Sequence, residues 1–215
     1  MNKRQNEPKN DSGNGVWQFS LDFKPANRIR LSFNYLIDEF VLDRSQSQND
    51  KDSGKALSIR TVYKSNINDQ HLISYYFSFI HVGTNTFRHE NGKNNFVQRE
   101  RPLGWEFGSD ARDYNLGLQL YSWGKIIVLS KIGRREVGEN NLTYNLYAPY
   151  HNYQKTSFPS GKVNEIDYVT SQLQFQIQES IILESKLDYS ISNLSGKNLE
   201  ASIGVNYFFY IKDQP

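Results

Sequence analysis

From residue 16 onward the chain alternates apolar and polar side chains with a period of two, the signature of strands that show one face to each of two environments. Trp17, Phe19, Leu21 and Phe23 interleave with Gln18, Ser20 and Asp22. After a Pro-Ala-Asn turn, Ile29, Leu31, Phe33 and Tyr35 interleave with Arg28, Arg30, Ser32 and Asn34. The same rhythm returns at Leu57, Ile59, Thr61 and Tyr63, at Ile73, Tyr75, Phe77 and Phe79, and at Tyr114, Leu116, Leu118 and Leu120. Residues 126–132 form a continuous apolar run that does not reveal its outward face. Segment 163–177 ends with Leu173, Phe175 and Ile177 against Gln172, Gln174 and Gln176. Ile181, Leu183, Leu187, Tyr189 and Ile191 define the next strand, and Leu199, Ala201, Ile203, Val205, Tyr207 and Phe209 the last. Nine strands and no helix are predicted.

The predicted strands run roughly 9 to 15 residues, against about 5 or 6 in soluble sheets, and a tilted membrane crossing needs such length. The connections sort themselves. Those at 25–27, 66–70, 122–125 and 178–180 are short, those at 41–55, 84–112 and 134–162 are long, and 193–198 is modest. Outer-membrane barrels keep short turns on the periplasmic side and long loops outside. The pattern predicts an all-β, antiparallel up-and-down outer-membrane β-barrel of about nine to ten strands, with 1–15 as a polar segment and 16–215 as the barrel portion. Nine antiparallel strands leave the first and last running in parallel, and an open sheet in lipid leaves backbone groups unpaired. The expectation is therefore an incomplete barrel, the C-terminal half of a longer one.

Composition changes this picture little. Hydrophobic residues make up 37% of the 215 residues and aromatics 14%, and no stretch is long and apolar enough for a membrane-spanning helix. With 25 basic and 23 acidic residues the net charge is +2, which gives no reason to expect nucleic acid. Cysteine is absent, so disulfides and thiolate chemistry are excluded. The first residues, MNKRQNEPKNDSGNG, contain no apolar signal-peptide core, and the expectation is that the leader lies upstream.

Ser202, Gly204, Tyr207 and Phe209 form a polar-x-Gly-x-x-aromatic-x-aromatic ending that resembles the signal read by the barrel assembly machinery, a partner during biogenesis. Three further segments carry a family resemblance. Arg101-Pro102-Leu103-Gly104-Trp105-Glu106-Phe107-Gly108-Ser109-Asp110 precedes the strand at Tyr114, Arg135-Glu136-Val137-Gly138-Glu139-Asn140 follows the next hairpin, and Phe158-Pro159-Ser160-Gly161 leads into 163–177. In this order they resemble the capsule-assembly family called Wzi. That resemblance implies a non-catalytic outer-membrane barrel, in contact with lipid and lipopolysaccharide, that binds capsular or exopolysaccharide at the cell surface.

Sugar recognition needs flat aromatic faces together with charged and amide groups. The long loops offer Arg99, Arg101, Trp105 and Asp110 in one, and Arg134, Arg135, Glu136, Tyr144, Tyr147, Tyr150, His151 and Tyr153 in the other. Arg99, Arg101, Trp105, Asp110, Arg134, Arg135, Glu136, Tyr147 and Tyr150 are the candidate polysaccharide ligands; folding the loops together is the alternative role for each. Lumen-facing Arg28, Arg30, Arg60 and Lys186 either line a porin-like passage or pair with Asp22, Asp188 or Glu200. The four histidines (71, 81, 89, 151) are scattered, no Gly-x-Ser-x-Gly elbow is present, and no cofactor or metal is expected. Porin-like channel and soluble carbohydrate-binding β-domain stay open as alternatives.

Overall fold

The structure, a computed structural model, describes residues 15–38, 53–68, 70–89, 91–150 and 154–209. Alternation becomes nine long strands: β1 (Trp17–Ala26), β2 (Ile29–Ile37), β3 (Lys55–Asn68), β4 (His71–Val82), β7 (Ala111–Ser122), β8 (Ile126–Val137), β9 (Asn164–Gln178), β10 (Ile181–Ser192) and β11 (Gly196–Tyr207). A two-residue hairpin, β5 (Val97–Gln98) with β6 (Arg101–Pro102), sits within the connection from β4 to β7. The nine strands form one sheet in the order β1-β2-β3-β4-β7-β8-β9-β10-β11, every neighbour antiparallel. The sheet is barrel-like and does not close: among the described residues β1 and β11 pair on one side only.

Strand ends differ from the alternation-based boundaries. β8 reaches Val137, so Arg134, Arg135 and Glu136 belong to a strand rather than a loop. β11 begins at Gly196, leaving only 193–195 between it and β10. Cross-strand hydrogen bonding carries the ladder through charged positions where apolar alternation has stopped.

The register resolves two faces. On one, rows run across neighbouring strands as Leu31–Thr61–Phe77–Leu116–Ile132–Val169 and as Ile73–Leu120–Val128–Leu173. The ambiguous run is thereby settled, with Val128 and Ile132 on this face and Leu129 and Lys131 on the other. These side chains are bare: Trp17 is 62% exposed, Leu116 60% and Ile203 81%, and no second layer covers them among the described residues. Two hydroxyls on this face pair with each other, Ser130 with Ser171 at 2.9 Å. Toward the long-loop end the face turns charged, but every guanidinium meets a carboxylate: Arg112–Glu136 at 2.6 Å and Arg134–Asp167 at 2.7 Å.

The opposite face changes character along its length. Its uppermost row, Leu36–Ala56–Val82–Ala111–Val137, is apolar and lies beneath the long connections. Lower rows are polar, as in Arg30–Val62–Tyr76–Gly117–Lys131–Thr170–Asp188–Glu200. Ion pairs partly neutralise this face: Arg30 bonds Asp22, and Lys186 reaches Asp188, two positions along its own strand, at 2.6 Å. Arg60 instead stacks over Tyr76 at 4.2 Å.

Candidate functional site

The connections 83–110 and 138–163 fold together as a cap on the apolar top row. Val82, Phe87 and Leu142 are its buried centre, with Leu36, Ala56, Ile80, Phe96, Val97 and Trp105 packed around them. Gathering irregular backbone in this way leaves many donors needing partners, and buried polar side chains supply them. Asp110, fully buried and held at φ 55°, accepts from Thr84 Oγ1 (2.7 Å), Asn140 N (3.1 Å), Ser160 N (2.9 Å) and Ser160 Oγ. Asn141 donates to the carbonyls of Phe107 and Ser109 while its Oδ1 caps the 3-10 turn Leu142–Tyr144 through Thr143 N (2.7 Å). Asn95 donates to Leu146 O (3.0 Å) and Ala148 O (3.1 Å) and accepts from His89 N (2.8 Å). Arg88 donates to Asn140 O and lies over the Tyr150 ring at 4.6 Å. Burial pushes the Tyr150 phenol above its ordinary range, so it stays neutral.

One part of the cap dips inward. Phe107 lies 3.1 Å from the Arg135 guanidinium, which contacts Asp113 at 3.2 Å, while Tyr168 donates to the same carboxylate at 2.8 Å. Glu106 and Phe107 thereby roof a hollow of about 760 Å³, lined below by Arg60, Tyr76, Lys131, Thr170, Lys186 and Glu200.

The cap's outward surface is built around the β5–β6 hairpin. Its tip residues Arg99 and Glu100 both have positive φ, 49° and 62°. A hollow of about 680 Å³ is lined by Gln98, Arg99, Arg101, Pro102 and Leu103. A second, of about 570 Å³, lies between the hairpin and the 142–146 segment and includes Glu100, Arg101, Glu106 and Thr143. Arg99 and Arg101 are exposed, and their guanidinium groups meet no carboxylate among the described residues. Tyr144 and Tyr147, next in sequence to the lining residues Thr143 and Leu146, are 61% and 49% exposed. Two guanidinium groups and an amide, beside the carboxylates of Glu100 and Glu106, give this surface the donors and acceptors that suit a hydroxyl-rich ligand.

The fold is Wzi-like. The solved structure it matches is that of Wzi, an outer-membrane protein of Escherichia coli involved in group 1 capsule assembly and described as a carbohydrate-binding β-barrel. The match covers 91% of this chain and 52% of that one, at 13% identity and a TM-score of 0.53, so the chain spans about half the length of that structure. No family model and no curated protein match the sequence.

The Wzi-like sheet separates residues that sequence places side by side. Arg99 and Arg101 come together at the hairpin hollow, while Tyr147 is exposed on the neighbouring 138–163 connection. Trp105 is half-buried against the cap core, its ring edge-on to Phe107 at 5.4 Å, and Tyr150 is buried under Arg88. Asp110 is enclosed, and its carboxylate is engaged by three segments. Arg134 and Glu136 face the bare side in ion pairs, while Arg135 faces the interior beneath Phe107. His151 and Tyr153 lie outside the described residues. Sequence reasoning passed over Leu103 and Gln98, which line the hairpin hollow; the signal available was a charged pair, Arg-Glu, between two short extended stretches.

Proposed function

We propose that this chain forms part of an outer-membrane barrel that binds surface polysaccharide, without catalysis, through the outer face of its cap. The observation that carries the reading is the bare apolar face. Large side chains from Trp17 to Tyr207 lie open on one side of the sheet with no second layer packed on them among the described residues, and hydrocarbon is the solvent in which such a face is stable. The charged rows at Arg112 and Arg134 then lie at the level of lipid headgroups. The long-loop end faces outward, which puts Arg99, Arg101 and Tyr147 on the cell surface. The likeness to Wzi supports the same assignment, and attachment of a capsular polymer is the form of binding it suggests.

A soluble carbohydrate-binding domain would need a second layer over this face, and among the described residues no second sheet or helix packs on it. A porin-like channel draws on the lined hollow of the concave face, but Phe107 clamped on Arg135 obstructs its outer approach.

The test is the triple variant Arg99→Gln, Arg101→Gln, Tyr147→Ala, made in the full chain. Retention of cell-surface polysaccharide should fall at least tenfold, with heat-modified electrophoretic mobility of the folded barrel unchanged. Undiminished retention with a folded barrel would overturn the reading.

A further inference from the structure

At the end of the sheet opposite the cap, two tight links lie side by side: the one joining β3 to β4 and the one joining β7 to β8. The second is Ser122-Trp123-Gly124-Lys125, closed by Lys125 N donating to Ser122 O at 3.0 Å, with φ of 49° at Trp123 and 65° at Gly124. Positive φ at both central positions is the hairpin geometry that ordinarily selects Asn-Gly or Gly-Gly. A tryptophan there is held against its own steric preference.

What holds it is specific. Trp123 N donates to Gln70 O at 3.0 Å, and its indole Nε1 donates to Gln70 Oε1 at 2.8 Å. Gln70 N in turn donates to Asn68 Oδ1 at 3.0 Å. The His71 ring meets the indole edge-on at 4.8 Å, with His71 Nδ1 and Ser122 Oγ 2.7 Å apart. The indole's one polar group is therefore satisfied inside the protein, yet the side chain remains 59% exposed. Strain, a double tether and exposure together contribute nothing to a core; they fix the orientation of a flat aromatic face.

That face borders a hollow of about 580 Å³, lined by Lys64, Asn66, Asn68, Gln70, His71, Leu72, Tyr121, Trp123 and Gly124. Among the described residues the lining carries one cation, Lys64, and no carboxylate. Asn66 and Asn68 and the Gln70 amide nitrogen supply donors and acceptors that match vicinal hydroxyls, which both give and accept hydrogen bonds. An aromatic plane flanked by side-chain amides is the chemistry that recognises a pyranose, whose C–H face stacks while its rim is hydrogen-bonded.

We propose that the short-turn mouth of the sheet is a second glycan-binding site, in which Trp123 stacks an uncharged pyranose and Asn66, Asn68, Gln70 and Lys64 bond its hydroxyls. It is separate from the cap and stands whatever the cap binds. Uncharged sugar reaches this face either as a polymer of plain hexoses or as the amino-sugar glycan of a cell wall.

The full chain in detergent micelles is titrated with maltohexaose and with chitohexaose, following tryptophan fluorescence and heat of binding. Saturable binding of at least one is expected, and the preferred oligomer assigns the source. Trp123→Ala and Gln70→Ala should each weaken it at least tenfold, while Arg99→Gln/Arg101→Gln leaves it unchanged. Heat-modified mobility reports that each variant is folded. Absence of binding by the unaltered chain overturns the proposal. So does full-strength binding by folded Trp123→Ala, which would leave the indole as an interfacial anchor only. Binding lost in the arginine variant but kept in Trp123→Ala likewise overturns it and assigns all recognition to the cap.

Discussion

At the residue scale, Asp110 shows how one side chain can carry a different burden from the one its neighbours suggest. In sequence it sits beside Arg99, Arg101 and Trp105 and reads as a polar loop ligand; in the fold its carboxylate is fully buried and accepts from Thr84, Asn140 and Ser160. Removing a buried charged acceptor strands its donors at about 1–3 kcal/mol each. Asp110→Ala should therefore open the cap while leaving the sheet intact, measured as rapid protease cleavage within 83–110 and 138–163 against a resistant strand core; equal resistance in the variant would contradict the hub role. Glycine supplies a second residue-scale device on the concave face. The phenol end of Tyr76 comes over Gly117 and that of Tyr168 over Gly133, each reaching the space a Cβ would take. At Gly133 a methyl would also fall 2.6 Å from the Tyr114 carbonyl, which is backbone and cannot swing aside. Gly133→Ala is expected to cost about 1–3 kcal/mol in urea unfolding from micelles, and Gly117→Ala less, because the Tyr76 side chain can move.

At the element scale, the strands were legible because the two faces of the sheet carry opposite polarities on alternate positions. Where that contrast fails, so does the reading. The run 126–132 hid its faces because Leu129 points inward among polar neighbours while Val128 and Ile132 point outward. Arg134, Arg135 and Glu136 were read as loop because charge masked a period of two that continues through them; their partners Asp167, Asp113 and Arg112 lie on adjacent strands and cannot be matched without the register. The cap was illegible for a further reason, since its contacts join segments far apart in the chain. The β5–β6 hairpin gives the test at this scale. Arg99 and Glu100 occupy positions that favour Asn-Gly. Arg99→Asn with Glu100→Gly should stabilise the hairpin by roughly 1–2 kcal/mol per relieved residue, seen as slower amide exchange at Gln98 and Arg101, while weakening polysaccharide retention. A gain in both would count against a role for the Arg99 guanidinium in retention.

At the scale of the whole molecule, one sheet carries an apolar face and a polar one, which the proposed membrane placement assigns to lipid and to a wet interior. The outward rows around Phe77, Leu116 and Val169 and the inward rows around Lys131 and Thr170 differ by a single residue step along each strand. A cation should therefore be tolerated or rejected according to parity. Leu116→Arg is expected to destabilise the folded chain in lipid by about 2–4 kcal/mol, whereas Gln119→Arg, facing the hollow, should be nearly neutral; matching costs for the two would place the sheet outside a membrane. The Asp110 hub bears on how such a sheet reaches its final alignment. Its donors come from the ends of three different strands, so they converge only when β4, β7, β8 and β9 are all in step. A slip by one residue anywhere among them would turn a strand inside out and pull the cap's fastener apart at once. Assembly should therefore run from the ladder upward, with the lid snapping shut last, as a proofreading step for strands that have already found their places.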